Sequence, residues 1–405
     1  MITFNRMFYI CVLFLSATFL FVGNRIASGG IDFASEIDAF PVYSAVVTEI
    51  TDRVEDTQEF APGFSITNIS IKFYARITSG ELRGEEVFAE YIVSSVSDAA
   101  MKEVETGDRI LLMYDNLMDS FIFMEYERVH YIAILGAAFF MLIVLFGRKK
   151  GFNSIIALGF ACFAIFMVFV PAILSGKNIY ITAAIICAYS IISTLLIVIG
   201  PNKKAISAIF GCLGGVLFAG LLMISMDTIM NLTGFVDQEA RFLLHILTEN
   251  PIDLRAIIFA GVVIGSAGAI MDVAMSIASS LWEVKLAGGA ADFRSLFKSG
   301  IEIGKDILGT MLNTLILAYI GSSLSVILLL TAHTTSLIEL FNMEMIIVEF
   351  LRALVGSFGM FLTIPLTAAI CGWLYVDHQN DDGFESSDDD YYERLKLRRN
   401  MRTRK

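Results

Sequence analysis

Residues 254–281 read LRAIIFAGVVIGSAGAIMDVAMSIASSL, and only Arg255 and Asp272 in this run are charged. An α-helix needs about 20 mostly apolar residues to cross the roughly 30 Å hydrocarbon core of a bilayer. The run is long enough and apolar enough to meet that requirement. It therefore predicts a transmembrane helix that carries a carboxylate inside the membrane.

The whole chain has the composition of a membrane protein. Of its 405 residues, 56% are hydrophobic and 17% are charged, and its mean hydropathy is +0.71. Soluble domains have about 25% charged residues. We predict a polytopic α-helical membrane protein with about eight transmembrane helices. The other seven apolar runs are Met7–Val22, Val129–Gly147, Phe152–Leu174, Tyr180–Gly200, Ala205–Met226, Ile307–Thr331 and Met345–Val376.

The segment between the first two runs has a different pattern, because polar and apolar residues largely alternate in it, as in Ser70–Ile77. Such alternation, with Gly-containing turns at Ser79-Gly80 and Thr106-Gly107, is typical of short β-strands. Residues 27–128 are therefore predicted to form a small all-β domain, either an OB-like or an SH3-like barrel. Residues 1–26 are predicted to be an uncleaved membrane anchor, in preference to a cleaved signal peptide.

The charge of this β-domain limits its partners. Residues 29–128 hold 20 acids and 7 bases. This excess of negative charge argues against nucleic acid as a ligand. A cationic ligand, a cation-rich polymer or simple solubility each remain compatible with the charge.

Basic residues predict the topology, since Lys and Arg collect in cytoplasmic loops. An N-terminus in the cytoplasm puts the β-domain outside, followed by a seven-helix membrane domain at residues 129–376. The tail at residues 377–405, predicted to be disordered, is then cytoplasmic, as is the C-terminus. The same arrangement puts these basic residues inside: Arg148, Lys149, Lys150, Lys203, Lys204, Lys285, Arg294, Lys298 and Lys305.

Asp272 is the residue that most needs an explanation, because a carboxylate within the hydrocarbon core is costly and usually functional. Ser276 and Ser279 follow it on one helical face. In the seventh run, Asn313 and Thr314 are candidates for the same pathway, and Asn313 would donate to Asp272 if the two helices touch. A purely structural Asp272, hydrogen-bonded to a neighbouring helix, is the alternative. The small residues Gly261, Gly265, Gly268 and Gly309 are interpreted as helix-packing positions.

Catalytic signatures are absent from the sequence. It contains neither a His-Glu-x-x-His zinc motif nor a Gly-x-Ser-x-Gly nucleophile elbow. Its five cysteines fall in apolar stretches without metal-ligand spacing. We expect no enzymatic activity, no metal site and no cofactor.

Several stretches resemble one family. Gly268–Ser279 resembles the signature segment of the YibE/F-like family of bacterial membrane proteins, and Ile307–Tyr319 resembles its second recurring segment. Pro251–Arg255 and the Gly107-Asp108-Arg109 turn are similar too. The resemblance implies a multi-pass protein of the bacterial cell membrane. It implies no substrate, although transport has been suspected for the family.

Two functions follow as hypotheses. The first is a transporter or permease for a small solute or cation, coupled to a cation or a proton, with Asp272 in its pathway. The alternative is a non-transporting sensor, assembly factor or scaffold that presents the β-domain to a partner protein. The lipid bilayer is a partner under both hypotheses.

Overall fold

The computed structural model describes residues 2–29, 41–61, 64–94, 102–115, 119–236, 240, 252–287, 292–333 and 336–376. The predicted charged tail at 377–405 lies outside this part of the chain. The chain forms two compact units. One is Asp32–Leu142, and the other combines Met1–Ile31 with Ile143–Lys405.

The smaller unit contains a closed five-stranded barrel. Its strands are β1 (Val42–Ala61), β2 (Phe64–Ile77), β3 (Glu86–Ser94), β4 (Arg109–Asp115) and β5 (Ser120–Tyr126). Their order around the barrel is β1-β2-β3-β5-β4. All neighbouring pairs are antiparallel except β3 and β5, which run parallel. The predicted small barrel is thus confirmed, and this strand order matches the OB-like alternative.

Alternation along the strands explains the barrel core. On β2, Ile71, Phe73, Ala75 and Ile77 point inward and are fully buried, whereas Lys72, Tyr74 and Arg76 between them point outward. This period of two is what a strand with one face on a core requires. The other inward side chains that fill the barrel are Ala45, Val47, Ala89, Tyr91, Val93, Val104, Ile110 and Leu112.

The remaining described elements are helices. They are α1 (Ile2–Ala27), α2 (Val129–Ala164), a π-helical turn (Ile165–Phe169), α3 (Val170–Leu174), α4 (Ile179–Ile199), α5 (Lys203–Met230), α6 (Leu254–Leu286), α7 (Phe293–Ser322), α8 (Leu324–His333), α9 (Leu337–Asn342) and α10 (Glu344–Tyr375). Several of the helices have an N-cap residue whose side chain accepts a hydrogen bond from the first turn. Asn178, Asn202, Asp253 and Asp292 accept backbone N–H groups at the starts of α4, α5, α6 and α7.

Within the described residues, seven helical stretches are long and apolar enough to cross a membrane, which indicates a multi-pass membrane protein. One of them, Val129–Leu174, has 46 residues. At 1.5 Å per residue it is about twice as long as one crossing requires. The helix is broken at Arg148, where φ is 49° and ψ is −125°. The prediction of eight spans requires two crossings here, and the break lies where the chain would turn between them.

The close approach of Gly151 to Ile143 shows how sharp this break is. A Cβ atom at position 151 would lie 2.2 Å from the Ile143 carbonyl oxygen. Residues eight positions apart in a straight helix are separated by about 12 Å. The backbone therefore bends tightly around Arg148, and a residue with a side chain at 151 would collide with the preceding helix.

The first helix packs into the larger unit. Tyr9 Oη donates to Asn153 Oδ1 at 3.1 Å, and the Phe19 ring stacks on Tyr189 with centroids 4.1 Å apart. Leu20 and Ala27 belong to the buried core. These contacts make α1 part of the packed helices of the larger unit.

Four helices form the centre of this unit, and α10 lies among the other three. Glycines mark its contacts. A Cβ atom at Gly215 of α5 would lie 1.9 Å from Thr363 Oγ1, and one at Gly304 of α7 would lie 2.3 Å from Ile364 Cγ2. On the α6 side, a Cβ atom at Gly359 would lie 2.7 Å from Ile270 Cδ1. The α5 and α7 backbones thus approach α10 at their own glycines, and an α6 side chain packs against a glycine of α10.

The contact pairs also give the helix directions. Gly211 meets Thr367 and Gly215 meets Thr363, so α5 runs antiparallel to α10. By the same reasoning α7 is antiparallel to α10, because its contacts are Gly300 with Ala368 and Gly304 with Ile364. If α5, α6, α7 and α10 cross the membrane one after another, successive helices run in opposite directions, so α5 and α7 would both be antiparallel to α10.

The start of α7 differs from the prediction, which began the seventh run at Ile307. The helix begins at Phe293 and includes Arg294, Lys298 and Lys305, which had been assigned to a loop. Its first half is amphipathic: Leu296, Gly300 and Gly304 are buried, while the charged residues lie on the other side. A search for uninterrupted apolar runs misses such a segment because only one of its faces is apolar.

Candidate functional site

Asp272 lies in the middle of α6. The helix extends 18 residues before it to Leu254 and 14 residues after it to Leu286. At 1.5 Å per residue, both helix ends are more than about 20 Å away. This placement puts the carboxylate deep inside the predicted span.

The side of α6 that carries Asp272 is open. Gly261, Gly265, Gly268 and Asp272 are separated by four, three and four positions, so they form one stripe along the helix. All four are exposed. Cβ atoms at Gly261 and Gly268 would find no atom within 4 Å, and one at Gly265 would find only Tyr319 Oη, at 3.6 Å. We call these four residues the open stripe of α6.

The opposite side of α6 is closed by packing. Ile270, Val273, Ala274 and Ile277 are fully buried in the helical core. The helix therefore has one face packed against its neighbours and one face that the described residues leave largely uncovered, with only Tyr319 Oη close to Gly265.

Three of the four glycines predicted to pack helices together have no close neighbour among the described residues. Gly261, Gly268 and Gly309 have no atom within 4 Å of a Cβ position, so they do not bring two described helices together. Close packing is instead provided by other glycines, namely Gly211, Gly214, Gly215, Gly300, Gly304, Gly359 and Gly372. The spacing of glycines identifies a smooth helix face but not the neighbour that it meets.

In the described part of the chain, no hydrogen bond or ion pair reaches the Asp272 carboxylate. The predicted bond from Asn313 is not formed, and both Asn313 and Thr314 are exposed on α7. Thr314 Oγ1 donates to the carbonyl oxygen of Thr310 at 3.1 Å. Ser276 and Ser279 are half-buried beyond Asp272, and Ser279 Oγ lies 3.8 Å from Met275 Sδ. Asp272, Ser276 and Ser279 thus share α6, and no hydrogen bond among the described residues joins Asp272 to the two serines or to the two α7 residues.

A carboxylate in this position has limited chemistry. It accepts hydrogen bonds and attracts positive charge, and in apolar surroundings it either binds a cation or takes up a proton. Among the described residues, no cluster of His, Cys, Asp and Glu has the arrangement of a metal site.

Charged residues collect where α5 ends and α6 and α10 begin. Arg255 Nη1 lies 4.0 Å from Asp227 Oδ2, and Arg352 Nη1 lies 2.7 Å from Glu349 Oε1. The second pair joins residues three positions apart on α10, which lie on one side of the helix. Asp227 is thus an ion-paired residue near a helix end.

Glu344 is a residue that sequence reasoning missed. Its carboxylate accepts three hydrogen bonds, from Thr233 N at 2.8 Å, Thr233 Oγ1 at 2.6 Å and Gly234 N at 2.6 Å. It thereby joins the start of α10 to the loop after α5. Its partners are more than 100 positions away in the chain, so no local pattern could have indicated them.

The other end of α6 carries aromatic and basic residues. Lys204 and Lys285 place their ammonium groups 5.7 Å and 5.4 Å from the centre of the Trp282 ring. Tyr375 packs edge-on against Trp282 and donates its hydroxyl to the Ala278 carbonyl oxygen at 3.0 Å. Trp, Tyr and Lys are the side chains that concentrate at membrane–water interfaces.

Comparison with known proteins gives one match. The family model described as YibE/F-like protein matches residues 135–377. The match covers more than half of the chain and includes all of α4, α5, α6, α7 and α10. The barrel strands lie before it, as does the Gly107-Asp108-Arg109 turn that had been included in the resemblance. No curated protein and no solved structure matches the chain.

Proposed function

Because the chain belongs to the YibE/F-like protein family and has the helices of a multi-pass membrane protein, we propose a membrane function that rests on the open stripe of α6. The protein is a membrane transporter or permease, and Asp272 binds a cation or a proton in its pathway. The observation that carries this proposal is the exposed, unpaired Asp272 at the centre of a spanning helix.

The proposal rests on the cost of the alternatives. A carboxylate facing lipid at the bilayer centre is unfavourable by a few kcal/mol or more. A water-filled or solute-filled path along the stripe solvates the carboxylate, so the exposed face has a physical reason to exist.

The orientation is part of the same proposal. With both termini in the cytoplasm, the barrel is extracytoplasmic and the Lys204, Lys285 and Trp282 group lies at the cytoplasmic surface. Glu344 and the Arg255–Asp227 pair then lie at the outer surface. We place the protein in the bacterial cell membrane, as the family suggests.

Water access to the stripe tests the proposal. In a variant without the five native cysteines, Gly268→Cys puts a thiol on the open stripe one turn from Asp272. Leu217→Cys is the matched control, because Leu217 is also exposed at the middle of its helix but has no polar neighbour in this stripe. A membrane-impermeant cationic thiosulfonate is the probe, applied to protein in proteoliposomes.

We expect the thiol at position 268 to react much faster than the thiol at 217, because only the stripe holds water. The reaction at 268 should be slowed by the transported cation. Equal and negligible reactivity at both positions would mean that lipid or a dry protein surface covers the stripe, and the pathway would then be refuted.

A second candidate is a non-transporting sensor, assembly factor or scaffold that presents the barrel to a partner. The observation that favours it is the set of apolar side chains exposed on the barrel surface, including Phe88 and Ile92. Deleting residues 40–126 discriminates the two candidates. A transporter would keep partial flux without the barrel, whereas a presenting scaffold would lose all function.

A further inference from the structure

The outer face of the β1–β2–β3 sheet has a regular arrangement of side chains. Cross-strand pairing gives four rows, each with one residue from β1, β2 and β3 in that order. The rows are Val46-Arg76-Glu86, Glu49-Tyr74-Phe88, Asp52-Lys72-Glu90 and Val54-Ser70-Ile92. We call these twelve residues the β1–β3 face.

Two aromatic rings occupy the middle of this face. Tyr74 and Phe88 are direct cross-strand partners, and their rings meet edge to face with centroids 5.5 Å apart. Tyr74 is 40% exposed and Phe88 is 48% exposed. Ile92 and Val54, two rows away, are exposed as well. Exposed aromatic and aliphatic side chains gathered on one sheet face are a reason to seek a binding site there, and here a charged row separates the two rings from Ile92 and Val54.

Carboxylates surround the two rings. Glu49, Glu86, Asp52 and Glu90 lie in the same or adjacent rows, against the two cations Lys72 and Arg76. The Glu86 carboxylate is held in place, since Thr48 Oγ1 donates to its Oε1 at 2.8 Å. The face therefore combines exposed aromatic rings with an excess of negative charge.

We propose that the β1–β3 face binds a cationic polypeptide segment, with Lys or Arg side chains lying over Tyr74 and Phe88 and paired to the surrounding carboxylates. Aromatic faces attract ammonium and guanidinium groups within about 6 Å. Charge complementarity favours this occupant: nucleic acid would be repelled, and a neutral glycan would gain nothing from the net negative charge. This inference concerns the barrel alone and does not depend on the transport pathway.

Binding of a fluorescent octa-arginine peptide to the full-length protein in lipid nanodiscs tests the proposal, with anisotropy as the readout. Tyr74→Ala/Phe88→Ala removes both rings and should raise the Kd by about tenfold or more. Phe88→Leu keeps an apolar side chain but removes the ring, and it should weaken binding by a smaller factor. Met124→Ala removes an exposed apolar side chain on β5, outside the face, and should leave the Kd unchanged.

Charge variants separate a specific face from the general acidity of the domain. Glu49→Gln/Glu86→Gln removes two charges from the face, and Glu81→Gln/Glu105→Gln removes two exposed charges elsewhere on the barrel unit. The proposal predicts a clear loss of affinity for the first pair only.

Equal losses of affinity in the two double variants would mean that binding depends only on net charge, and this would overturn the proposal. So would an unchanged Kd in Tyr74→Ala/Phe88→Ala. Ring-dependent binding of an uncharged cell-wall glycan fragment, with no binding of octa-arginine, would overturn it in favour of a carbohydrate site. The flux behaviour of Asp272 variants bears on none of these outcomes.

Discussion

Gly215 of α5 and Thr363 of α10 approach so closely that a Cβ atom at position 215 would lie 1.9 Å from Thr363 Oγ1. The Thr363 hydroxyl is fully buried and donates to the Gly359 carbonyl oxygen at 2.8 Å. Neither partner has room to move aside, because α10 is also in contact with α6 and α7 at this level. The pair therefore fixes the distance between α5 and α10.

We predict that Gly215→Ala destabilises the helical unit by about 1–3 kcal/mol, the usual cost of inserting a methyl group into a well-packed core. Gly268→Ala is the matched control, since a Cβ atom there meets nothing within 4 Å. The Tm of each variant in detergent is the measurement. A Gly268→Ala variant that loses as much Tm as Gly215→Ala would contradict the packing described here.

The break at Arg148 predicts a cytoplasmic turn between two crossings. In the cysteine-free protein, Lys149→Cys should react with an impermeant thiol reagent only from the cytoplasmic side, and Lys177→Cys only from the outside. These two positions are separated by one crossing in the eight-span arrangement. If the thiol at 149 cannot be labelled from either side, residues 129–174 do not turn at Arg148, and the eight-span count fails.

The hydrogen bonds of Glu344 predict that removing this carboxylate destabilises the protein more than removing the nearby Glu339 carboxylate. Glu344→Ala removes three hydrogen bonds and leaves the Thr233 and Gly234 N–H groups without their acceptor. A hydrogen bond to a charged group contributes about 1.5–3 kcal/mol to stability. We therefore expect the free energy of unfolding to fall by about 2 kcal/mol or more. Glu339→Ala, on the exposed α9, should have almost no effect on Tm. Equal Tm values for the two variants would show that the carboxylate at 344 contributes nothing.

The barrel unit should lose stability in acid through one ion pair. Arg53 donates to both carboxylate oxygens of Glu103, at 2.9 Å from Nε and 2.8 Å from Nη2. The guanidinium lowers the pKa of Glu103 below its ordinary value of 4.5. A carboxyl whose folded pKa is lowered stabilises the fold above its unfolded pKa, and this contribution is lost as the pH falls through the folded value.

The expected consequence is small, because the pair is exposed to solvent. When the full-length protein is heated with a protease near pH 7, Glu103→Gln should make the barrel easier to cleave than in wild type. This difference should shrink below about pH 4. Glu55→Gln, which removes a single longer contact of 3.4 Å to Arg53, should change resistance less. A wild-type advantage that persists unchanged in acid would refute the assignment to this pair.

The sequence predicted the spanning helices and the barrel because both depend on patterns that a single strand or helix carries by itself. Mean hydropathy located α4, α5, α6 and α10, and alternation located the core of β2. The start of α7 was missed because the charges of Arg294, Lys298 and Lys305 lower its mean hydropathy, although its buried face is continuous. The segment that was missed is therefore an amphipathic one, with an apolar face on only one side of the helix.

The candidate site was predicted only in part, since its properties depend on neighbours. The position of Asp272 in a span follows from hydropathy, and the shared face with Ser276 follows from helical geometry. Which glycines pack and which remain open does not follow from either. Gly211 and Gly268 both lie within apolar spanning helices, yet a Cβ atom at Gly211 would lie 2.0 Å from Thr367 Oγ1 and one at Gly268 would meet nothing within 4 Å.

The most direct test of the proposed pathway is solute flux in proteoliposomes, screened over cations and an imposed pH gradient. Wild type is compared with Asp272→Asn and with Asp227→Asn, at equal amounts of inserted protein. We predict flux in wild type, its loss in Asp272→Asn with insertion and Tm preserved, and its retention in Asp227→Asn. Wild-type flux in a folded Asp272→Asn protein would contradict the central role of this carboxylate.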